Sequence, residues 1–441
     1  MDRNTPGITN RRINQIAVPM ILSNITVPLL GFIDTAVIGQ LGQAELIAAL
    51  GLGSILISTL YWLCGFLRMG TTGLTAQAKG AEDSIEIFQI LIMGLGLGVL
   101  LGCLILLISF PIFHAFFIIS PAELSVESNA LAYVEIRILS APFAIASITI
   151  IGWLIAMEKT VRVFFIQLIV NVINLTLNLF LVLVLDYGVE GIAYATLTAE
   201  VFGFFLSLAM CKGVLKVEKC FIIQKIFNWD KWLNLFSLNF NIFLRSLLLE
   251  VVFLSFFFWG ASFGTVVLAA NQILIQFLHI FAYGLDGFAF SAEVLVGTSY
   301  GRKNLTDLRK SLILCTKWAG FSALGLSVIF FFSGSFFVQF MTTSNEVVAT
   351  AQNYLFWITL APLCSFLAYI LDGVFFGSTH TIEMRKAMII ATLFYFFTVV
   401  ILTEVYQNHG LWLSLTLFSL IRALTLLYYY PKIERSVSSI R

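Results

Sequence analysis

The segment VPMILSNITVPLLGFIDTAVIGQLG, from Val18 to Gly42, contains a single charged residue, Asp34. An apolar run of about 20 residues or more is long enough to cross the hydrocarbon core of a bilayer as an α-helix. The segment therefore predicts a membrane-spanning helix at about residues 14–40, with the carboxyl group of Asp34 inside it.

The rest of the chain has a similar composition. Of its 441 residues, 11% are charged and 59% are hydrophobic, whereas about 25% of a typical globular chain is charged. We therefore expect an all-α polytopic membrane protein with twelve transmembrane helices. The predicted spans are residues 14–40, 45–77, 86–118, 122–156, 163–185, 190–211, 232–259, 264–298, 309–340, 346–376, 386–404 and 410–431.

The composition also limits the partners and the chemistry. A net charge of +1 provides no basic field that would attract a nucleic acid. The histidines and cysteines lack metal-ligand spacing, and there is no P-loop that would bind ATP. We expect no catalytic residues, no enzyme activity, no tightly bound metal and no cofactor. Uphill transport would then depend on an H⁺ or Na⁺ gradient.

The positions of lysine and arginine test the number of spans. If the N-terminus is cytoplasmic, 20 of the 25 cations fall in cytoplasmic segments and none falls in the six outer turns. If one span were missed or added, every later loop would change sides, and the cations that follow would fall in outer loops. The positive-inside rule therefore predicts twelve helices with both termini in the cytoplasm. The other five cations lie inside apolar runs: Arg68, Arg137, Arg245, Lys317 and Arg422.

The two halves of the chain correspond at an offset of about 220 residues. Two parallel six-helix bundles related by an axis along the membrane normal are a transporter architecture, with the substrate site between them. We predict an N-terminal lobe at 1–220 and a C-terminal lobe at 221–441. The matching positions are Ala141-Pro142 with Ala361-Pro362, Gly80 with Gly301, and Gly188 with Gly410.

Asp34 is the leading candidate for ion coupling and for substrate binding. A carboxyl group in apolar surroundings can exchange protons near neutral pH. Pro28 lies six residues earlier and removes a backbone hydrogen bond, so we predict that it is a hinge at which the first helix bends. The alternative is a helix-end aspartate that is hydrated at the outer surface.

Three asparagines of the fifth span share one helical face, because they are three and four residues apart. This face is predicted to point into a cavity or against the first helix. Together with Asp34 and Thr196, this face offers the oxygen ligands that a hard cation such as Na⁺ would use, and Asn171 could contact substrate. Packing through interhelical hydrogen bonds is an equal alternative. The three residues are Asn171, Asn174 and Asn178.

Four acids of the second half lie within predicted spans, where ionisable groups are costly and mark functional sites. They could bind an organic cation or carry protons, or they could be neutralised by Arg68, Arg137 or Arg245. Glu200 in the sixth span has no partner that the sequence identifies. The four acids are Glu250, Asp286, Glu293 and Asp372.

The segment Val18–Gly42 resembles the first helix of MATE (multidrug and toxic compound extrusion) transporters, within them the DinF-type (DNA-damage-inducible protein F) branch. Further matches keep their order over nearly the whole chain: FLRMGTTGLTAQAKG (Phe66–Gly80), LDGFAFSAEVLVG (Leu285–Gly297), LDGVFFGSTHTIEMRKAM (Leu371–Met388) and NHGLWLSLTLFSLIRALTL (Asn408–Leu426).

The resemblance implies a monomer in a bacterial cytoplasmic (inner) membrane that exports hydrophobic, often cationic amphiphiles by alternating access. Asp34 matches the helix-1 aspartate whose protonation is proposed in the family to displace substrate, and Asn174 matches a family asparagine. Asn178 stands where many members carry an aspartate, which argues against tight Na⁺ binding and favours H⁺ coupling. Asp372 and, loosely, Glu250 resemble acids of a C-lobe Na⁺-coupled branch.

The sequence therefore predicts a proton-coupled antiporter for drugs or toxic compounds. The alternatives are a Na⁺-coupled drug exporter, a flippase for a lipid-linked precursor, and a membrane enzyme or receptor without a transport cycle. A flippase for a diphosphate-linked lipid would need several cations in its cavity, yet the predicted intramembrane charges are mostly acidic.

Overall fold

A computed structural model describes residues 7–119, 123–213 and 229–439. These residues form α-helices with short turns and no β-strand. The α-helices are α1 (Asn10–Gly39), α2 (Ala44–Leu63), α3 (Phe66–Gly80), α4 (Ser84–Ile119), α5 (Leu124–Arg137), α6 (Ala141–Ala156), α7 (Thr160–Asn178), α8 (Gly188–Cys211), α9 (Trp229–Ala261), α10 (Thr265–Gly301), α11 (Leu305–Met341), α12 (Asn345–Gly377) and α13 (Thr381–Ser439).

Ten segments of the described residues are long and apolar enough to cross a membrane. One of them is α13, which Gln407 divides through a non-helical backbone conformation (φ 50°, ψ −130°) into the last two predicted spans. Because α1 corresponds to the first predicted span, the helices are those of the predicted twelve-span, all-α architecture. Shorter breaks occur within single spans, such as the 3₁₀ turn Ile138–Ser140 just before Pro142.

Among the described residues, six residues other than glycine have positive φ, and they confirm the internal repeat. Five of them lie next to the end of a helix, and Gln407 lies at the break within α13. A positive φ in a residue other than glycine costs about 1–2 kcal/mol and is kept by its surroundings. Each of the three in the first half precedes its counterpart by 221 positions. The pairs are Glu82 with Lys303, Glu158 with Thr379, and Asp186 with Gln407.

The ends of α6 and α12 show the same repeat in their hydrogen bonds. After α6, the amide of Lys159 donates to the carbonyl of Leu154 at 2.9 Å. After α12, the amide of His380 donates to the carbonyl of Phe375 at 3.1 Å. Both are the long bond of a Schellman motif, which closes a helix C-terminus. The two halves therefore end these corresponding helices with the same motif, as expected for an internal repeat.

The described residues divide into two compact units. We call Leu22–Thr75 with Glu82–Leu233 the N-terminal unit, and Met1–Ile21, Ala76–Ala81 and Asn234–Arg441 the C-terminal unit. The predicted lobe boundary at residues 220 and 221 lies outside the described residues, so the division at that point stays a prediction.

Glycines on α4 let it pack closely against α6 in the N-terminal unit. A Cβ atom on Gly98 would lie 2.9 Å from the Cα atom of Ala146. Small residues of this kind allow membrane helices to approach until their backbones touch.

We expect Gly98→Val to destabilise the N-terminal unit by about 1–3 kcal/mol, because the added side chain forces α4 and α6 apart. Thermal unfolding of the detergent-solubilised protein measures this loss. Gly51→Val is the control, since Gly51 is an exposed helical glycine with no atom within 4 Å of an added Cβ. Equal melting temperatures for the two variants would contradict the expectation.

Candidate functional site

Asp34 lies on α1 within the N-terminal unit, and its residue is only 6% exposed. The side-chain amide of Asn178 donates to Asp34 Oδ1 with an Nδ2–Oδ1 distance of 2.6 Å. Asn178 is the last residue of α7 and is itself fully buried. It precedes a π-helical turn, Leu179–Val184, a feature that occurs frequently at functional sites. The structure therefore joins the predicted carboxylate of α1 to the predicted asparagine face of α7.

A chain of hydrogen bonds extends from this contact to α8. Asn178 Nδ2 also donates to Asn174 Oδ1 at 2.9 Å, and Asn174 Nδ2 donates to Thr196 Oγ1 at 2.8 Å. The Thr196 hydroxyl donates to the carbonyl of Ile192. Because each donor is fixed by the next residue, the chain orients an N–H of Asn178 toward Asp34. Such an arrangement holds a carboxylate as a hydrogen-bond acceptor.

One oxygen of this chain is left over. Asn178 Oδ1 is buried and accepts no hydrogen bond within the part of the chain that the structure describes. A buried polar atom without a partner usually marks strain, function, or a bound water or ion. This oxygen is therefore an available ligand beside the Asp34 carboxylate.

Asn171 connects α7 to α1 at a second point. Its Nδ2 atom donates to the backbone carbonyl of Thr26 at 3.1 Å, two residues before Pro28. Of the two predicted orientations of the asparagine face, into a cavity or against the first helix, the structure shows the contact with the first helix. α1 continues through Pro28 as one helix, and the role of Pro28 as a hinge stays a prediction.

In the C-terminal unit, Asp372 is paired with two arginines. The guanidinium groups of Arg245 and Arg422 both donate to Asp372 Oδ2, the latter at 2.7 Å. All three side chains are 6–7% exposed. The structure therefore shows the second of the two predicted alternatives for Asp372, which is neutralisation by buried arginines. Binding of a cationic substrate by Asp372 stays a prediction.

The other predicted acids of the C-terminal unit occupy different environments. Asp286 on α10 is partly buried and acts electrostatically on Arg245, which places it beside the Asp372 cluster. Glu293, two turns further along α10, is 1% exposed. Glu250 is partly exposed on α9. Their roles in substrate binding stay predictions.

The sequence did not identify the partner of Glu200, which the structure shows to be Arg137. Arg137 Nη1 and Nη2 donate to the two carboxylate oxygens of Glu200 at 2.8 and 3.0 Å. Ser140 Oγ also contacts Glu200 Oε2, and the hydroxyl of Tyr61 lies 3.0 Å from Ser140 Oγ. The sequence did contain one indication of this pair: Arg137 and Glu200 carry opposite charges inside two spans of the same half, and charges within a membrane are usually paired.

The MatE family model matches residues 19–180 and 242–405, one segment in each half of the chain. This chain belongs to the MatE family. The resemblance inferred from the sequence motifs is thereby confirmed. MatE proteins are membrane transporters and not enzymes, so a membrane enzyme is excluded as an interpretation.

Two curated MatE relatives and one solved structure give the extent of the similarity. DNA damage-inducible protein F of Escherichia coli is 36% identical over 413 residues, which cover 93% of this chain and 90% of the relative. A probable multidrug resistance protein NorM of Halalkalibacterium halodurans is 23% identical, with 82% and 80% covered. A MOP superfamily transporter from Pyrococcus furiosus has a TM-score of 0.87 at 17% identity, with 97% and 96% covered. The last of these confirms the fold.

Proposed function

We propose that this protein exports hydrophobic, often cationic drugs or toxic compounds across a bacterial cytoplasmic membrane in exchange for H⁺. The observation that carries the proposal is the buried Asp34 carboxyl group, held by the Asn178–Asn174–Thr196 chain. We further propose that the protein acts as a monomer with both termini in the cytoplasm. Relatives named as multidrug resistance proteins support the substrate class.

The chemistry of this site follows from the two states of one carboxyl group. When Asp34 is ionised, it accepts the N–H of Asn178 and supplies a negative charge that attracts a lipophilic cation. When a proton from outside binds Asp34, the charge is lost and the attraction to a cation falls. A buried charge acts more strongly than an exposed one, because the surroundings screen it less. Pro28, on the same helix, would allow α1 to bend with this change.

Na⁺ coupling is a second candidate because of one atom. Asn178 Oδ1, the buried oxygen without a hydrogen-bond partner in the described residues, could serve as a Na⁺ ligand with Asp34, Asn174 and Thr196. Against this, Asn178 presents its N–H rather than its oxygen to the carboxylate. Because the chain of hydrogen bonds contains one acid, Asp34, the arrangement favours H⁺ over Na⁺ as the coupling ion.

A lipid-linked precursor flippase is less well supported. Arg137, Arg245 and Arg422 are buried cations that could attract a diphosphate, but each is paired with an acid. Glu200 offsets the charge of Arg137, and Asp372 offsets one of the two charges of Arg245 and Arg422, so most of this positive charge is compensated within the protein.

Efflux from proteoliposomes tests the proposed coupling. The probe is ethidium, a hydrophobic cation, and gradients of pH and Na⁺ are imposed separately. We expect a pH gradient alone to drive ethidium movement and a Na⁺ gradient alone to leave it at the level of protein-free liposomes. The reverse result would assign Na⁺ as the coupling ion, and movement under neither gradient would contradict ion-coupled export.

A further inference from the structure

Arg137 and Glu200 form a second polar cluster in the N-terminal unit, next to the Asp34 chain. Thr196, the end of that chain, and Glu200 are four residues apart on α8 and therefore share one face of the helix. Both Arg137 and Glu200 act electrostatically on Asp34, with opposite signs. A charged pair of no net charge thus lies within electrostatic reach of the proposed coupling carboxyl group.

The pair is held on several sides. Arg137 is 6% exposed and its guanidinium lies 5.9 Å from the centre of the Tyr61 ring. The charged or titratable groups that face Arg137 are Glu200 from α8, Tyr61 from α2 and Tyr133 from α5. Those that face Asp34 are Arg137 and Glu200, with Asn178 as its hydrogen-bond donor. Among these groups, Glu200 and Asp34 are the carboxyl groups that could pair with the guanidinium.

A buried guanidinium is costly unless an acid neutralises it. Glu200 meets this requirement with both carboxylate oxygens in a two-point contact, which is the strongest geometry for an arginine. Without the charge of Glu200, the attraction between Arg137 and an ionised Asp34 would be uncompensated. The ionised form of Asp34 would then be stabilised, and a higher proton concentration would be needed to protonate it.

We propose that Glu200 is a positioning residue for coupling: it holds Arg137 in a neutral pair and so keeps Asp34 available to protons and cationic substrate. This inference rests on the proposed coupling through Asp34. The cluster of Asp34, Arg137 and Glu200 then has one net negative charge when Asp34 is ionised and none when it is protonated. A cation exporter needs such a change, because the negative net charge attracts the cation and its loss on protonation releases the cation.

The test compares Glu200→Gln, Arg137→Gln and the double variant in proteoliposomes, with pH-driven ethidium efflux measured over a series of external pH values. We expect Glu200→Gln to reduce efflux about tenfold near neutral pH and to move the half-maximal rate to more acidic pH. The double variant should return both quantities close to those of the unmodified protein. The control is Glu190→Gln, an exposed acid on the same helix.

An unchanged pH profile for Glu200→Gln would overturn the proposal. A double variant as impaired as Glu200→Gln would also overturn it, because loss of Arg137 removes the uncompensated positive charge on which the proposal depends. If Glu200→Gln does not fold, Arg137→Gln carries the test. Its unpaired Glu200 should move the profile to alkaline pH, and removing that charge in the double variant should reverse the shift. If the pH profiles of Arg137→Gln and of the double variant coincide, the proposal is contradicted.

Asp34→Asn in the same assay separates this inference from the proposed function. If Asp34→Asn is inactive while Glu200→Gln behaves as the unmodified protein, the inference about Glu200 fails alone. If Asp34→Asn retains pH-driven efflux, the proposed coupling through Asp34 fails as well.

Discussion

Asp34→Asn is expected to reduce pH-driven ethidium efflux to the level of protein-free liposomes while the protein remains folded. The amide has nearly the shape of the carboxyl group, and its oxygen can still accept the N–H of Asn178, so the contact between α1 and α7 is retained. It carries no charge at any relevant pH, however. The site therefore loses both its attraction for a cation and its response to protons. Efflux rates and the elution profile in size-exclusion chromatography measure the two parts of this result.

Asp186→Asn is the matched control for this substitution. Asp186 lies in the same unit, is exposed, and has positive φ (58°), a conformation that asparagine tolerates well. The control should transport like the unmodified protein. Retention of pH-driven efflux by Asp34→Asn, at a comparable amount of folded protein, would contradict the role given to Asp34.

Asp372→Asn is expected to cause the largest loss of stability, about 3–5 kcal/mol in the free energy of unfolding. Arg245 and Arg422 share one oxygen of this carboxylate, and all three side chains are buried. Removal of the acid leaves two neighbouring guanidinium groups without their counter-charge. Thermal unfolding in detergent should show a clear decrease in melting temperature.

Two further variants test whether the loss of stability is specific to Asp372 and whether it is caused by unbalanced charge. Glu346→Gln makes the same type of change at an exposed position of α12 and should leave the melting temperature unchanged. Replacement of Arg245, Asp372 and Arg422 together by Met, Leu and Met should recover most of the stability, because it removes the charges as a set. A triple variant as unstable as Asp372→Asn would show that shape, rather than charge balance, matters at this position.

The membrane-spanning architecture could be predicted from the sequence because it depends on quantities that a sequence contains directly. Run length and charge position indicated twelve spans, and the offset of the halves was later matched by turn residues such as Glu158 and Thr379. The break between the last two spans was also predicted, because Gln407 lies between the predicted spans 386–404 and 410–431, but the backbone conformation of Gln407 was not predicted. Gln407 adopts positive φ without being glycine, so no residue preference marks the site.

The candidate site was only partly predictable. The spacing of Asn171, Asn174 and Asn178 indicated one helical face and its contact with the first helix, since helical periodicity fixes direction within a span. The pairing of Arg137 with Glu200 joins residues 63 positions apart on different helices. Their meeting depends on the tilt and rotation of α5 and α8, which packing determines and hydropathy does not.

The paired arginines also have a consequence for the order of synthesis. Arg245 leaves the ribosome 127 residues before Asp372, and Arg137 precedes Glu200 by 63 residues. A charged residue in a newly inserted helix costs about 2.5–3.5 kcal/mol until it is compensated. We therefore expect Arg245 on α9 to lack Asp372 until α12 has been translated, and the cluster to be complete only when α13, with Arg422, has been inserted. A nascent chain that ends between Arg137 and Glu200, or between Arg245 and Asp372, contains an arginine whose acidic partner has not yet been made.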